Sequence, residues 1–448
     1  MSSVTSRAGL PPGPKASGIA GNLPEFSANV LGFLRRLARD YGPLASFRLG
    51  PRRIFLASGH DLIEQVLVHD AKHYVKHFGA RAYKPVLGNG LVTSEGAFWR
   101  QQRRLVQPAF LKTQVQSYAP TMAELTEQML AGWSPGQSIQ IDLTFSDLTS
   151  RIALKTLFDL EDEGSREQFT SALAVAFDLM SQRVRRLVKA PLWFPTPQNL
   201  ELRRALREIN RKVDGFIAAG SARSEARDDL LTRLINAKLP DGSSMTDAQL
   251  RDEAMTLYLA GHETTALALT WSWYLIAKHP QVEERLLAEW QSVLGGASPT
   301  ADDLRSLPYT AAVINETMRL LPPVYVIGRE ATTELELAGY RVKPGYTIFI
   351  SQWVNHRDPK FFHEPDEFIP ERWEGGFAQR LPKYAYFPFG GGQRLCIGNT
   401  FALMEAAIIL PTVGQRFRFT IDANWEFGLK PQITLLPATH PTTTLQSR

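Results

Sequence analysis

The sequence has almost no cysteine: Cys396 is the only one among 448 residues. A single thiol excludes an intramolecular disulfide. It also excludes zinc or iron–sulfur sites built only from thiolates, because each of these needs several sulfur atoms. An unpaired thiol is typical of a protein from a reducing compartment.

Long apolar runs are also missing. Hydrophobic residues make up 44% of the chain, but no uninterrupted stretch approaches the ~20 apolar residues that cross a bilayer. The segment from Met1 to Pro14 is polar and proline-rich, without the charged-then-apolar pattern of a signal peptide. We therefore expect a soluble, cytoplasmic protein with no membrane anchor.

The chain has no basic or acidic tail. The net charge is +5, and lysine and arginine are interleaved with aspartate and glutamate. The sequence therefore lacks the basic tail that nucleic-acid binding favours, and we expect no nucleic-acid partner. A local basic surface that docks an acidic protein remains open.

Internal repeats and low-complexity linkers are absent. Length alone suggests about three domains of ~150 residues, but apolar spacings of three and four predict mainly helices from Pro120 to Leu239. Two short strands are predicted within 43–58, and a terminal hairpin within 433–446. We predict one domain over 1–448, mainly α with small β-sheets, behind a Pro/Gly-rich lead-in over 1–25.

One helical pattern is much longer than the others. Thr246 and Gln249 form a capping box at its start, and Met245 is placed to pack on Leu250 as a hydrophobic staple. Pro280 marks its end. About 33 residues at 1.5 Å each give a helix on the order of 50 Å, which must cross a large domain.

The surroundings of Cys396 favour a thiolate. A helical pattern, NTFALMEAAIIL, follows it, so the helix dipole and free N–H groups lie beside the sulfur. Gly391, Gly392 and Gly398 allow the backbone to approach closely. Chemistry alone leaves two interpretations open, a structural free cysteine and a metal ligand.

The stretch FGGGQRLCIG, from Phe389 to Gly398, resembles the cysteine-ligand loop of the cytochrome P450 family at every fixed position. The resemblance extends over roughly Pro11 to Leu445. It implies a P450 fold with haem b (iron protoporphyrin IX) between the long central helix and this loop, and Cys396 as the axial ligand of the iron.

The stretch AGHETT, 260–265, resembles the oxygen-binding segment of the same family. The resemblance implies that Ala260 lines the haem and that Glu263 and Thr264 deliver protons to dioxygen. The alternative for Thr264 is a hydroxyl that only bonds a carbonyl of its own helix.

Further matches imply the cofactor-binding set. Trp99 and Arg103 in WRQQR lie one turn apart, and with Arg329, Arg394 and Phe389 they are the implied haem contacts. Arginine suits the carboxylate geometry of the haem propionates.

ETMR (316–319) and PERW (370–373) resemble the family's Glu–Arg–Arg network. The resemblance gives Glu316, Arg319 and Arg372 a structural role; without it, a surface ion pair is the simpler interpretation. His356 and His363 are also predicted to be structural rather than haem ligands.

The resemblance implies a monooxygenase that inserts one atom of dioxygen into an apolar substrate such as a fatty acid, terpenoid or carotenoid. Electrons would come from a separate ferredoxin or flavodoxin and its NAD(P)H-dependent reductase, docking near Arg100 and Arg104. A peroxide-driven peroxygenase is the alternative enzyme, although HETT argues against it. A non-catalytic haem protein is less favoured because no residues remain for an output domain.

Small residues suggest a large substrate. Gly88 and Gly90 lie in the stretch expected over the haem, where they would fill little volume. Trp193 and Phe194, in the apolar loop KAPLWFPTPQN, are predicted to form an entrance for a bulky apolar molecule, although a packed surface loop remains the simpler interpretation.

Overall fold

A computed structural model describes residues 9–159, 163–185, 190–222, 229–239 and 241–448. The chain is mainly α-helical with small β-sheets, as predicted. Its α-helices are α1 Leu23–Ala28, α2 Val30–Tyr41, α3 His60–Glu64, α4 Phe78–Arg81, α5 Lys84–Leu87, α6 Gly96–Val106, α7 Lys112–Gln116, α8 Ala119–Ala131, α9 Ile141–Phe158, α10 Glu163–Arg185, α11 Pro197–Ala222, α12 Leu230–Asn236, α13 Asp247–Lys278, α14 Pro280–Leu294, α15 Pro308–Leu320, α16 Gln352–Asn355, α17 Phe377–Arg380 and α18 Asn399–Gly414. Within the described ranges, no helix is long and apolar enough to span a bilayer.

The strands are short. They are β1 Leu44–Leu49, β2 Arg52–Ala57, β3 Tyr74–Lys76, β4 Ser138–Gln140, β5 Ile327–Ala331, β6 Leu335–Leu337, β7 Tyr340–Val342, β8 Thr347–Ile350, β9 Phe417–Ile421, β10 Leu429–Pro431, β11 Leu435–Pro437 and β12 Thr442–Ser447. The largest sheet has the order β1-β2-β8-β5-β3, so β3 is one of its edges. The predicted pair of strands within 43–58 is confirmed, because β1 and β2 are antiparallel on either side of Gly50–Pro51.

The predicted terminal hairpin is wrong. Strand β11 pairs with β10, whereas β12 pairs with β4 and β9 in another sheet. The local pattern identified extended segments, but their partners come from distant parts of the chain. This pairing joins the C-terminus to the segment before α9.

The long central helix is α13, and its start is the predicted one. The Thr246 side chain accepts from Gln249 N, and Thr246 N donates to Gln249 Oε1 at 2.8 Å. Met245 and Leu250 are both buried in the same apolar cluster. The helix ends at Lys278, and Pro280 begins α14, so α13 runs through the core with α9 packed along it.

Glu316, on α15, is the centre of a buried ionic network rather than a surface pair. Its side chain has no solvent exposure, and neither has that of Arg319. The carboxylate accepts from Arg319 through two nitrogens at 2.8 Å, from Arg372 Nε at 2.8 Å and from Trp373 Nε1 at 2.8 Å. The network ties α15 to the 3₁₀ turn Pro370–Trp373, which leads into the cysteine loop.

Candidate functional site

Cys396 lies in a tight loop directly before α18, as predicted. Cys396 N donates to Phe389 O at 3.0 Å, and Gly390 N donates to Phe387 O at 2.9 Å. A single 3₁₀ turn, Gly392–Arg394, separates these contacts. The first and last parts of the loop therefore fold onto each other and fix the position of the sulfur.

Two of the glycines are required by packing behind the loop. Gly392 has φ +63°, and a Cβ there would overlap the carbonyl oxygen of Leu67; a Cβ on Gly391 would overlap the ring of Tyr384. Around Gly398 a Cβ would meet only Phe110, at an ordinary contact distance. We predicted that these glycines let the backbone approach the sulfur. Gly391 and Gly392 instead leave room for the Tyr384 ring and the Leu67 carbonyl to pack against the loop.

Cys396 is exposed at the surface of its loop, although protein atoms surround the sulfur closely enough to affect its ionisation. Burial raises the pKa of the thiol above the ordinary value. A hydrogen bond from the Gly398 backbone and the positive charges of Arg103 and Lys76 act in the opposite direction and lower that pKa, but burial is the larger effect. A bound cation would reverse this balance, because a coordinating thiol is deprotonated outright. The raised pKa argues against a free nucleophilic thiolate, and coordination to a metal is one way in which this sulfur would be held deprotonated.

Trp99 and Arg103, on α6, both face the cysteine loop. The guanidinium of Arg394 lies over the Trp99 ring, 3.9 Å from its centroid, and Arg103 Nη1 donates to Leu395 O at 3.1 Å. Arg394 also pairs with Glu95. The structure thus brings three of the predicted cofactor contacts together, with Phe389 half-buried in the same loop.

Arg329, on β5, belongs to the same group of cations, and Lys76, on β3, adds a member that sequence reasoning missed. Lys76 and Arg329 are directly opposite each other across the antiparallel pair. Burial, with repulsion from Arg329 and Arg394, lowers the pKa of Lys76 to about 7. Burial and Arg394 together lower that of Arg329 to about 10. Like charges opposite each other are destabilising.

This group of cations fits the two carboxylates of a haem. Within the part of the chain that the structure describes, Glu95 is the one carboxylate whose charge acts on Lys76, Arg329 and Arg394. Its oxygens are already used by Arg394 and by Lys76 N, which donates at 2.5 Å. A dianionic group beside the cysteine would supply the missing negative charge. No sequence motif marks Lys76; the signal is its register opposite Arg329.

The segment 260–265 lies at the middle of α13. Ala260 is exposed, whereas Tyr258 and Thr265 nearby on the same helix are buried. Thr264 Oγ1 donates to Ala260 O at 2.6 Å, which is the local hydrogen bond that we gave as the alternative for this residue.

Glu263 does not contact Thr264 through a hydrogen bond. Its Oε1 accepts from Thr434 Oγ1 at 2.9 Å, and burial raises its pKa, with the Thr434 hydroxyl opposing. The acid and the hydroxyl are therefore neighbours in sequence, each with a different partner.

Two acidic residues on α13 hold the segment 88–91, which follows α5, against the central helix. Asp252 Oδ2 accepts from Asn89 N at 2.7 Å, and Glu253 Oε2 accepts from Leu91 N at 3.0 Å. Burial raises the pKa of Glu253 to about 8. Sequence reasoning missed both residues, since nothing local distinguishes them from other acidic helix residues.

The same contact corrects our interpretation of Gly88 and Gly90. A Cβ on Gly88 would overlap the Asp252 carboxylate, and one on Gly90 would overlap Thr256 Oγ1 and Asp252 O. Gly88 also has φ +58°. These glycines let the stretch lie against α13, and they do not leave volume for a substrate.

The two histidines differ in position. His356 is fully buried, and its Nε2 accepts from Phe387 N at 3.0 Å, which supports the start of the cysteine loop. The side chain of His363 is 90% exposed. The position of His356 agrees with the structural role that we predicted, whereas that of His363 gives it no structural role.

Comparison with known proteins gives consistent matches. A sequence model of a family described as Cytochrome P450 matches residues 11–439. Cyclooctatin synthase from Streptomyces melanosporofaciens is 36% identical over 424 residues, which cover 93% of this chain and 91% of the relative. Pentalenene oxygenase from Streptomyces avermitilis is 32% identical, covering 98% and 97%. A solved structure, retinoic acid bound cyanobacterial CYP120A1, has a TM-score of 0.86 at 24% identity, covering 98% of this chain and 99% of the other.

Proposed function

Because the chain belongs to the cytochrome P450 family, and is therefore an oxidoreductase of the monooxygenase type, we propose that it oxidises a polycyclic terpenoid larger than a monoterpene. The single observation that carries this proposal is the pair of exposed aromatic side chains, Trp193 and Phe194, on the loop between α10 and α11. Two such rings suit a bulky apolar molecule at the entrance of a binding site. The two relatives named above, cyclooctatin synthase and pentalenene oxygenase, act in terpenoid chemistry, which supports the same class.

The entrance proposed for this substrate is the loop between α10 and α11. Trp193 is 74% exposed and Phe194 is 49% exposed, so the two rings are not a packed surface. Asn199 Nδ2 donates to Pro191 O at 2.8 Å and to Phe194 O at 2.9 Å, which holds the turn in shape. The free energy of an apolar molecule falls when it leaves water and packs beside these rings. Lys189, the first residue of the predicted loop, lies outside the described residues.

The family carries a haem-thiolate cofactor, and we assign it as haem b. When bound, the haem supplies the activation of dioxygen and the oxidation itself. Cys396 would hold its iron, while Lys76, Arg103, Arg329 and Arg394 would hold its carboxylates. The Trp99 ring, beneath the Arg394 guanidinium, keeps that side chain aligned.

Electrons are proposed to reach the haem from a separate ferredoxin or flavodoxin and its NAD(P)H-dependent reductase. Arg100 and Arg104 are exposed on α6, whereas Trp99 on the same helix is buried. These two charges lie on the outer side of the helix whose inner side faces the cysteine loop. An acidic carrier is attracted to such a surface before it docks.

The substrate class is tested by comparing three groups of ligands on the haem-loaded protein: camphor-sized monoterpenes, fatty acids and polycyclic sesquiterpenes or diterpenes. We expect the polycyclic group to give the strongest ligand-induced change of the haem spectrum and the largest share of electrons in product. Better-coupled oxidation of either other group would contradict the proposed class and leave the enzyme class intact.

Thr264 is proposed to pass protons to dioxygen, and Glu263 to supply them. Changing Thr264 to alanine should leave haem content and substrate affinity unchanged while a much larger share of the electrons forms hydrogen peroxide. The reason is that proton delivery loses its hydroxyl, whereas binding does not use it. The measurement is the ratio of product and peroxide to NAD(P)H consumed.

Thr270→Ala provides the matched control for that variant. Thr270 Oγ1 donates to Ala266 O at 2.7 Å on the same helix, so this change removes the same kind of local hydrogen bond in the core. Equal coupling in the Thr264 variant and the wild type would exclude the proposed role. Equal uncoupling in both variants would attribute the effect to the helix alone.

A further inference from the structure

Glu263 is attached through one of its oxygens to the hairpin formed by β10 and β11. Its Oε1 accepts from Thr434 Oγ1 at 2.9 Å. Thr434 is 4% exposed, and Glu263 is partly buried. Within the described residues, no group donates a hydrogen bond to the second oxygen, Oε2. A carboxylate can accept at both oxygens, so one oxygen of this acid is fixed and the other is free to exchange a proton.

The turn that carries Thr434 is held by hydrogen bonds within it and to the segment after α15. Inside the turn, Gln432 N donates to Thr434 O at 2.9 Å. Beside it, Leu435 N donates to Pro323 O at 2.9 Å. The Tyr325 hydroxyl donates to Gln432 O, also at 2.9 Å. The backbone of the turn cannot shift without breaking these bonds, so the Thr434 hydroxyl keeps a fixed position.

The same hairpin is bonded to α13 at a second point. Trp271 Nε1 donates to Leu435 O at 3.1 Å, and Trp271 has no solvent exposure. Residues 263 and 271 are eight positions apart, about two helical turns, so they lie near the same side of α13. The Trp271 bond already ties the hairpin to the helix. The bond between Thr434 and Glu263 is therefore left to orient the acid.

We propose that Thr434 is a positioning residue for proton supply: its hydroxyl holds Glu263 Oε1 and leaves Oε2 as the oxygen that exchanges protons. This inference rests on the proposed function, in which Glu263 supplies protons to Thr264, and it gives the two oxygens of one carboxyl group different tasks. Within the described ranges, no charged group acts on the pKa of Glu263; burial raises that pKa and the Thr434 hydroxyl opposes the rise. The hydroxyl is therefore the polar group that adjusts the acid.

The hydrogen bond is tested by infrared titration of the haem-loaded protein, without turnover. The difference between wild type and Glu263→Gln identifies the carbonyl band of the neutral acid, and the loss of this band with rising pH gives the midpoint of ionisation. Thr434→Val keeps the approximate volume but has no hydroxyl. Its midpoint should move to higher pH, because a hydrogen bond to the charged form favours that form. An unchanged midpoint would overturn the proposal.

The role in the reaction is tested by the solvent deuterium isotope effect on substrate oxidation. Thr434→Val should lower turnover several-fold at unchanged substrate affinity and increase the isotope effect, because proton supply becomes the slower step. Thr434→Ser keeps the hydroxyl and should stay near the wild type. The matched control is Thr443→Val, which removes a buried hydroxyl that donates to Thr420 O at 3.0 Å in another sheet. This control should change neither quantity.

A double variant shows whether Thr434 acts through Glu263. In a Glu263→Gln protein, adding Thr434→Val should leave the isotope effect unchanged, because the group that Thr434 positions is already gone. A further increase as large as in the wild-type background would overturn the proposal. Failure of the wild type to oxidise any apolar substrate would instead count against the proposed function, and the infrared midpoint would still decide whether Thr434 controls the acid.

Discussion

Replacing Cys396 by histidine is expected to remove the strongly red-shifted Soret band of the reduced, carbon-monoxide-bound protein and to abolish substrate oxidation. A thiolate donates electron density to haem iron and favours O–O cleavage, and imidazole does not do so to the same degree. The chain has no other cysteine, so no second thiolate can replace the ligand. The measurement is the difference spectrum of the reduced protein with and without carbon monoxide, together with product formation.

Gln393→Ala is the matched control, because Gln393 lies in the same loop with its side chain exposed. We expect it to keep the red-shifted band. A band unchanged in Cys396→His would show that the iron ligand lies elsewhere. Loss of the band in both variants would show that the loop tolerates no substitution. The spectrum of Cys396→Ser would then be compared with that of the wild type at equal haem content.

Replacing Glu316 by alanine is expected to lower the free energy of unfolding by about 3–5 kcal/mol, the usual cost of removing one partner from a buried ion pair. Arg319, which is fully buried, would lose its counter-charge, and Arg372 and the Trp373 indole would lose their acceptor. Urea unfolding of the haem-loaded protein, followed by tryptophan fluorescence, measures the change.

Glu25→Ala is the control for this variant. Glu25 pairs with Arg36 on the surface, and the two side chains are 51% and 41% exposed; pairs of this kind contribute about 0–1 kcal/mol. A change below about 1 kcal/mol in the Glu316 variant would mean that the network is replaceable by water or by rearrangement. The haem band, measured at low urea, separates loss of stability from loss of the cofactor.

Features determined by neighbouring residues could be predicted from the sequence. The capping box at Thr246, the pair β1–β2 and the loop around Cys396 each depend on a short stretch, and the motif of that loop is specific. The ionic network around Glu316 could be assigned only through the resemblance, because its members are distant in sequence.

Features determined by pairing across the fold could not be predicted. Lys76 belongs to the group of cations because β3 is in register with β5, and no local pattern contains that register. Gly88 and Gly90 were misinterpreted because a missing side chain can either leave a cavity or admit a neighbour, and here α13 is the neighbour. Thr434 could not be identified as the partner of Glu263, because the two residues are far apart in the sequence and no local pattern connects them.

Lys76 and Arg329 are proposed to hold the haem carboxylates, and we therefore expect the register that places them opposite each other to make the stability of the fold depend on the supply of the cofactor. Like charges on neighbouring strands oppose pairing, and β3 is an edge strand with one partner, so this edge gains most when a dianion binds. A ligand that binds only the folded chain shifts the folding equilibrium by mass action. A cell short of haem would therefore lose this protein to proteolysis instead of accumulating it without its cofactor.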